Sequence, residues 1–423
     1  MSQWVAEQRE ARTLASPWQE ITRVTPDVFS EIRLETIFSC CKWDPQVGDV
    51  SVLADFPLVL KRSEWEAIRQ LAEQLSAETL LAEREITADQ ALLKELGLTR
   101  SARLLCRSVD CVAGPAVSAR IMRFDFHYTT DGWKISEANT DVPGGLIEAG
   151  GFTRLIARHY PHLDVTGDPD WALVRAILRS TGHDGLIGLV HATAYTDDRQ
   201  MMTYLEKLFQ QSGLRTCLIS PVQLEWRDGK SFVAGHGRDG AVDLIYRFFP
   251  ADWLTLLPRR HRWPLRVSIP ACNPVSALVT QSKRFPLLWP KLGSVLPAWK
   301  MLLPECKDVR QIGNDAEQWV LKPALGRVGE DVGIFGVTDA GDWVRILREA
   351  RRRPQFWVAQ RRFEAIPVLV EDEPYYPCVG VYTVDGRVAG AYGRVGHKPL
   401  IDAYAQDIAV LTTAVEQIGN AAF

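Results

Sequence analysis

The hydrophobic pattern of the first hundred residues is helical. Apolar residues recur at helical spacing from Ile68 onward, and Ser63 with Glu66 predicts a capping box at the start of this helix. A second helix is predicted over residues 88–96, where apolar positions continue at the same period. Residues 1–100 are therefore predicted to form a mainly helical lead-in.

From Gly185 onward, short and continuously apolar runs alternate with helical segments. The pattern predicts strands over residues 186–190, 215–219 and 243–247, with a helix over residues 198–211. Buried apolar strands that alternate with helices are typical of a parallel sheet. Further strands are predicted over residues 318–321, 332–336, 356–360 and 376–383. The predicted fold class is α/β or α+β with more than one sheet.

Residues 123–139 predict a β-hairpin with a three-residue loop. The first strand alternates polar and apolar residues, as a half-buried strand does. Thr130-Asp131-Gly132 suits such a loop, because glycine adopts the left-handed conformation that closes it. This loop would pair residue 129 with 133, and therefore 125 with 137 and 123 with 139. A two-residue turn would instead distribute the polar residues over both faces.

In the predicted register one face of the hairpin carries Arg123, Asp125, Glu137 and Asn139. Directly paired side chains on one face lie about 4.5–5.5 Å apart at Cβ. Two carboxylates and an amide supply hard oxygen ligands, which suit Mg²⁺ together with nucleotide phosphate oxygens. Arg123 beside such a metal could hold a transferring phosphoryl group. The same residues also fit a surface hairpin with cross-strand Arg–Asp pairing.

A second candidate site combines a lysine with a glycine-rich loop. Lys322 ends a predicted strand, and Gly326 and Gly329 follow it. Glycines let backbone N–H groups approach phosphates, and the lysine adds a point charge. The lysine precedes the glycines, so the segment does not match GxxxxGK[ST]. Taken alone, this pattern also fits an ordinary hairpin turn.

Composition and charge exclude several functional classes. The net charge of −3 lacks the basic character of a nucleic-acid-binding protein, so we expect no nucleic-acid partner. No run of about 18 apolar residues occurs, so we expect no membrane span. The eight cysteines form no CxxC pair, and no apolar signal-peptide core follows the first residues, which together predict a cytoplasmic protein with reduced thiols. The sequence does not specify an oligomeric state.

Taken together, these motifs resemble the synthetase domain of glutathionylspermidine synthase and its relatives, which are ATP-grasp amide ligases with an unusual order of elements. The matching segments are Arg-Phe-Asp (123–125), Ser-Glu-Ala-Asn-Thr-Asp-Val-Pro (136–143), Leu-Ile-Glu-Ala (146–149), Tyr-Arg-Phe-Phe-Pro (246–250) and Lys-Pro-Ala-Leu-Gly-Arg-Val-Gly (322–329). The resemblance runs from about residue 120 to 407 and is much weaker before residue 100. It implies an ATP-grasp fold with permuted element order, plus a parallel-sheet βαβ unit of the pre-ATP-grasp type.

The resemblance also implies roles for individual residues, with ATP and Mg²⁺ as cofactors. The implied Mg²⁺ ligands are Asp125, Glu137 and Asn139. The implied nucleotide-binding residues are Lys283, Lys322, Gly326, Gly329 and Gln360. The implied catalytic residues are Arg123 and Arg394. The matches for Lys283 and Arg394 are short, and a solvated surface position is the alternative for each.

The predicted division of the chain has four parts. These are a helical lead-in (1–100), the Mg²⁺-binding hairpin (101–180), the βαβ unit (181–280) and the nucleotide-binding part with the glycine-rich loop (281–423). The implied function is ligation of a small-molecule or peptide carboxylate to an amine through an acyl phosphate. Gly144-Gly145 and Glu330-Asp331 depart from the family pattern, which leaves both substrates open. The alternatives are an ATP-binding regulatory protein without ligase activity and a phosphotransferase that releases a phosphorylated product.

Overall fold

The computed structural model describes residues 16–43, 45–47, 50–108, 119–182, 185–227, 230–234, 241–262, 269–313, 315–326 and 331–414. Within these ranges the α-helices are α1 (Pro26–Phe38), α2 (Arg62–Ala88), α3 (Gln90–Glu95), α4 (Arg100–Ser108), α5 (Thr153–Ala157), α6 (Pro169–Thr181), α7 (Thr196–Gln211), α8 (Leu278–Gln281), α9 (Pro297–Leu302) and α10 (Ala340–Arg352). A π-helical turn, Ile147–Phe152, directly precedes α5.

The same ranges contain short and long β-strands. They are β1 (Gln46–Val47), β2 (Val50–Ser51), β3 (Leu58–Leu60), β4 (Ile121–Thr129), β5 (Gly132–Asn139), β6 (Leu163–Val165), β7 (Leu186–Val190), β8 (Arg215–Ile219), β9 (Leu224–Arg227), β10 (Lys230–Val233), β11 (Leu244–Arg247), β12 (Ala271–Cys272), β13 (Cys306–Lys307), β14 (Trp319–Pro323), β15 (Trp357–Arg361), β16 (Val368–Val370), β17 (Glu373–Val384), β18 (Arg387–Gly396), β19 (Gln406–Ile408) and β20 (Val410–Thr413).

A six-stranded antiparallel sheet carries the candidate site. Its order is β19-β18-β17-β4-β5, with β16 added on β17. Under the sheet, Phe124 is fully buried, and its ring packs edge-on against Trp299 with 6.1 Å between centroids. Helix α2 covers the same side with Ile68 and Leu75, which are also fully buried. The apolar face of the hairpin therefore forms core, and the polar face is left for chemistry.

The predicted βαβ unit is present as a four-stranded parallel sheet of order β12-β11-β7-β8. Its strands β7 and β8 have the predicted bounds, and α7 packs against β8. All five residues of β7 are buried, as expected for a parallel strand that is covered on both faces.

Two smaller sheets connect distant parts of the chain. Strands β13, β15 and β14 form an antiparallel sheet, in which Lys322 lies on β14. Strand β3, from the first hundred residues, pairs in parallel with β20 near the end of the described chain. The lead-in therefore shares a sheet with the C-terminal strands, while the four-part division stays a prediction.

Three local predictions outside the hairpin were wrong. The capping box is not formed, because α2 begins at Arg62 and its N-cap residue, Lys61, makes no side-chain cap. The predicted helix over 88–96 is shorter, because Asp89 is extended and accepts a hydrogen bond from the N–H of Ala91. The predicted strand over 332–336 is reduced to one bridge between Leu321 and Gly333, after which the chain turns. No helix among the described residues has the length and apolar character of a membrane span.

Candidate active site

The hairpin has the predicted register, but it forms through a shorter turn and a bulge that the sequence pattern did not predict. Thr129 pairs with Gly132, so the loop has two residues rather than three. Between Phe126 and Asp125 the register then shifts, and Ser136 is left as an extra residue in a β-bulge. The shorter turn shifts the pairing by one residue from the predicted register, and the bulge shifts it back.

After the bulge, Asp125 pairs with Glu137 and Arg123 pairs with Asn139, as predicted. The three oxygen-bearing side chains and the guanidinium therefore lie together. Asn139 donates from Nδ2 to Asp125 Oδ2 at 3.0 Å. The polar cluster is not a solvated surface hairpin, because Asp125 is only 6% exposed.

Arg123 is held rigidly at this cluster. Its Nε and Nη2 donate to the two carboxylate oxygens of Asp125 at 2.7 and 2.9 Å. Its Nη1 donates to the carbonyl of Gly144 at 2.8 Å, and its Cζ lies 4.9 Å from the centroid of the Tyr392 ring. A bidentate ion pair fixes the plane of the guanidinium as well as its position.

Two lysines approach the cluster from other parts of the chain. Lys283 Nζ lies 2.9 Å from Glu137 Oε2 and also donates to the carbonyl of Gly326 at 2.7 Å. Lys322 Nζ donates to the backbone carbonyl of Ser136 at 3.0 Å. Lys283 is thus a buried partner of the hairpin acid, and the alternative of a solvated surface position for it was wrong.

The pKa values of these groups follow from their burial and mutual charges. Burial, reinforced by the nearby charge of Lys283, lowers the pKa of Lys322 to about 8. For Glu137 burial acts to raise the pKa, but Lys283 and Lys322 outweigh it and bring the value to about 2. Glu137 is therefore ionised at neutral pH, with Lys283 Nζ at its Oε2.

His127 continues the same face of β4. Its Nε2 lies 3.0 Å from the hydroxyl of Ser136, and its ring packs at 5.3 Å against that of Phe363. Burial and the charge of Lys322 lower the pKa of His127 to about 4, so the imidazole is neutral at pH 7.

Of the other predicted nucleotide-binding residues, the structure describes Gln360 and Gly326 but not Gly329. Gln360 lies on β15 and is 3% exposed, and its Nε2 has no hydrogen-bond partner among the described residues. Such a buried, unpaired amide calls for an acceptor that the described residues do not supply. Gly326 accepts from Lys283, whereas Gly329 lies outside the described residues. Asp331, one of the two unusual acids, forms an ion pair with Arg345 at 2.8 Å.

A second charged cluster lies beyond Tyr392. The Tyr392 hydroxyl donates to Asp407 Oδ1 at 2.7 Å, and Asp407 Oδ2 accepts from Lys42 Nζ at 2.9 Å. The same ammonium of Lys42 forms an ion pair with Glu148. Arg394 belongs to this cluster, since its Nε is 3.7 Å from Asp407 Oδ1 and its Nη2 donates to the carbonyl of Asp402 at 2.7 Å. The surface alternative for Arg394 was therefore also wrong.

Both clusters line one cavity of about 1570 Å³. Pockets for a single small ligand measure roughly 300–1,000 Å³. The volume therefore suits a nucleotide together with further substrates. Every predicted site residue that the structure describes lines this cavity.

Buried polar residues join the parallel sheet to the end of the hairpin. Arg247, at the end of β11, forms an ion pair with Asp141 and donates to the carbonyl of Asn273 at 3.0 Å. Asn273 in turn accepts from the N–H of Ile121 at 2.9 Å and donates to the carbonyl of Thr140 at 2.9 Å. These bonds fix the start of β4 and the residues after β5 relative to the parallel sheet.

The family comparison matches this arrangement over most of the chain. The family model described as "Glutathionylspermidine synthase preATP-grasp" matches residues 48–411. The chain belongs to this family. Residues 48–411 contain all of the predicted site residues and nearly all of the second cluster, with Lys42 just outside.

Individual relatives are distant in sequence. A curated protein of Haemophilus influenzae, named "Putative acid--amine ligase", is 24% identical over 285 residues, which cover 64% of this chain and 68% of that protein. A glutathione synthetase-like effector from Globodera pallida, solved in apo form, superposes with a TM-score of 0.59 at 14% identity, covering 93% of this chain and 100% of that one. The second likeness supports the predicted ATP-grasp fold.

The donor set of this glutathionylspermidine synthase-family chain fits Mg²⁺. Asp125, Glu137 and Asn139 offer hard oxygens, which Mg²⁺ prefers. Among the described residues no group of three His, Cys, Asp or Glu side chains could hold a metal by itself. The chain thus supplies two carboxylates and an amide, and oxygens of a nucleotide would complete the coordination. The assignment of these three ligands remains a prediction.

Several residues of the site were not predicted from the sequence. Glu148 carried a signal, because an acid inside the apolar run Leu146–Ala149 predicts a buried and paired carboxylate. His127 also had one, since it continues the alternation of Arg123 and Asp125. Lys42 had none, because it approaches the cavity from a turn after α1 that no local pattern relates to it.

Proposed function

We propose that this protein joins a carboxylate to an amine with consumption of ATP, by way of an acyl phosphate. The observation that carries the proposal is the convergence of Arg123, Asp125, Glu137, Lys283 and Lys322 at one cavity. Among these five side chains three cations can contact phosphate oxygens, and two carboxylates remain for the metal. The name of the Haemophilus influenzae relative supports the same class of reaction.

The reaction must replace a poor leaving group. A carboxylate oxygen attacks the γ-phosphorus of ATP, the bond from that phosphorus to ADP breaks, and an acyl phosphate forms. The amine nitrogen then attacks the carbonyl carbon, and phosphate and a proton are released as the amide forms. Neither step requires a nucleophilic side chain, so the enzyme contributes alignment and charge neutralisation.

Each side chain has a defined part in this proposal. Lys283 and Lys322 bind phosphate oxygens, and the rigid guanidinium of Arg123 stabilises the phosphoryl group during transfer. Asp125, Glu137 and Asn139 hold Mg²⁺, which when bound supplies charge neutralisation at the phosphate oxygens. Gln360, with its unpaired Nε2, donates to the adenine ring.

Arg123 supports the ligase over a protein that only binds ATP. A regulatory site needs affinity for the ground state alone. Here the Arg123 guanidinium is fixed by Asp125, Gly144 and Tyr392 beside the proposed metal ligands, where phosphoryl transfer would occur. The phosphotransferase remains a candidate, and it differs in needing no amine and forming no amide.

The test is an assay of ADP release across pairs of carboxylates and amines. The candidates are amino acids, short peptides and mono- and polyamines, with products identified by mass spectrometry. The proposal predicts ADP release that requires both substrates and an amide product whose mass equals their sum less water. Release of ADP with a phosphorylated acid as the final product would instead identify a phosphotransferase. Absence of turnover across the panel, with ATP bound, would favour the regulatory protein.

A further inference from the structure

Lys42 occupies the acidic end of the active-site cavity. Its ammonium lies between Glu148 and Asp407, and the three side chains are 14%, 9% and 10% exposed. The contacts lead from Lys42 through Asp407 and the Tyr392 hydroxyl to the ring that stacks under Arg123. This cation is therefore connected to the proposed transfer site and is not a surface lysine.

The position of Lys42 is fixed by the backbone around it. The N–H of Lys42 donates to the carbonyl of Thr36 in α1 at 3.2 Å. The preceding residues Cys40 and Cys41 are 6% and 2% exposed. The stem of the lysine thus starts from a turn that is anchored in the core, which reduces the entropy lost when the ammonium pairs with both acids.

Without Lys42, Glu148 would lose this ammonium and, among the described residues, Asp407 would keep only the 3.7 Å ion pair with Arg394 Nε, so the two acids would form a site for an amine. Buried carboxylates are strongly destabilising unless a cation pairs with them. A cavity wall with two such carboxylates would therefore select substrates with an additional ammonium group, such as diamines and polyamines. In this chain the ammonium of Lys42 already satisfies Glu148 and Asp407.

We infer that Lys42 is a specificity-determining residue: its ammonium fills the subsite for a second cationic group, so the acceptor is an amine with a single cationic group. The inference rests on the proposed ligase function and names the class of its amine substrate. The reacting nitrogen itself must lose its charge before attack, so it does not need these carboxylates.

Removal of the lysine side chain tests the inference without any turnover. In Lys42→Ala, putrescine should restore the missing charge and raise the midpoint of thermal unfolding in a saturable manner. We expect its affinity for the variant to exceed that for the parent protein by about tenfold or more, because charged hydrogen bonds are regained. Tetramethylammonium at equal ionic strength donates no hydrogen bond and serves as the control ion. Lys300→Ala, at an exposed position, is the matched control variant.

The parent protein covers the case in which Lys42→Ala does not fold, and a double variant tests the contribution of the second acid. Lys42→Ala with Glu148→Gln leaves one buried acid instead of two and should bind putrescine more weakly than the single variant. In the parent protein, monoamines and amino acids should support ADP release, and spermidine should not. Equal stabilisation of parent and Lys42→Ala by putrescine, or efficient use of spermidine by the parent, would overturn the inference. If putrescine stabilises Lys42→Ala but no pair of carboxylate and amine supports ADP release, the ligase function would be contradicted. The inference that Lys42 fills a cation subsite would still hold.

Discussion

Gly380 lies directly against Arg123, and any larger residue there would require the Arg123 side chain to shift. A Cβ at position 380 would lie 2.7 Å from Arg123 Cδ, 2.9 Å from its Nε and 3.0 Å from Asp125 Oδ1. Gly380 pairs with Asp125 across β17 and β4, so the three residues form one layer of the site. The glycine is required for this close approach and not for an unusual backbone angle.

Gly380→Ala should therefore displace the guanidinium while leaving the sheet intact. We expect turnover to fall by about 10- to 100-fold, since a shift of about 1 Å costs this much in an aligned site. Steady-state ADP release measures the effect, and circular dichroism checks the fold. Gly313→Ala is the control, because the only atom of the described residues within 4 Å of its added Cβ is Asp315 Oδ1 at 3.9 Å. Normal turnover in Gly380→Ala would show that the position of Arg123 is unimportant.

The hairpin acids should control the response to Mg²⁺. Asp125→Asn and Glu137→Gln keep shape but remove charge, so the Mg²⁺ concentration for half-maximal ADP release should rise and the maximal rate should fall sharply. Titration of Mg²⁺ at saturating ATP measures both changes. Glu31→Gln, on the exposed side of α1, is the matched control and should behave as the parent. An unchanged Mg²⁺ requirement in both site variants would exclude these residues as ligands.

The sequence predicted the hairpin cluster because strand alternation is a local property. The pairs of Asp125 with Glu137 and of Arg123 with Asn139 are confirmed, although the loop was wrong. The sequence gives no sign that the bulge at Ser136 compensates for the shorter turn, because both features depend on how β4 and β5 pair within the whole sheet.

Contacts between distant segments could not be predicted from the sequence pattern. The ion pair of Lys283 with Glu137 and that of Lys42 with Asp407 join residues that no periodicity connects. The family resemblance assigned Lys283 to the site, because its motif covers that segment. It did not reach Lys42, which precedes the matched residues. Buried charge pairs of this kind are set by tertiary packing rather than by local pattern.

Lys322 should contribute to nucleotide affinity. Lys322→Ala removes an ammonium that would contact phosphate oxygens, and charged hydrogen bonds contribute about 1.5–3 kcal/mol, or roughly 10- to 100-fold in affinity. Isothermal titration calorimetry with ATP and Mg²⁺ measures the loss. Lys307→Ala removes a lysine that packs on Trp319 and pairs with Glu305, and it should bind ATP as the parent does. Equal ATP affinities in Lys322→Ala and the parent would contradict a nucleotide-binding role for Lys322 and favour an ordinary turn in the glycine-rich segment.

The pKa of Lys322 predicts how affinity changes with pH. The value of about 8 lies below the ordinary 10.5, so the free protein loses this proton as pH rises through about 8. Bound phosphates favour the charged form, so nucleotide binding should take up a proton above pH 8, and affinity should fall between pH 7 and 9. Calorimetry in buffers of different ionisation enthalpy measures the uptake. Lys322→Arg stays charged and should lose this pH dependence, whereas the same dependence in that variant would assign the proton to another group.

The contribution of Lys322 to folding stability changes with pH in the opposite direction to that of a lysine in an ordinary ion pair. Because the folded pKa of Lys322 is depressed, the folded state without nucleotide binds fewer protons than the unfolded chain between about pH 8 and 10.5. The free-energy cost of burying the ammonium lowers folding stability by its full amount below pH 8, and this cost disappears as pH rises to 10.5. Lys322→Met should therefore gain thermal stability relative to the parent at pH 7 and less so at pH 10. A variant that is destabilised equally at both pH values would show that the lysine packs as a structural residue.

Trapping with hydroxylamine tests whether an acyl phosphate forms during the reaction. In the parent protein with ATP, Mg²⁺ and a carboxylate that supports ADP release, hydroxylamine should intercept the intermediate and yield the corresponding hydroxamate. Arg123→Lys keeps the charge but loses the planar guanidinium, so its hydroxamate yield should fall by about 10²–10³. Formation of ADP without hydroxamate in the parent, or equal yields in the parent and Arg123→Lys, would contradict the mechanism.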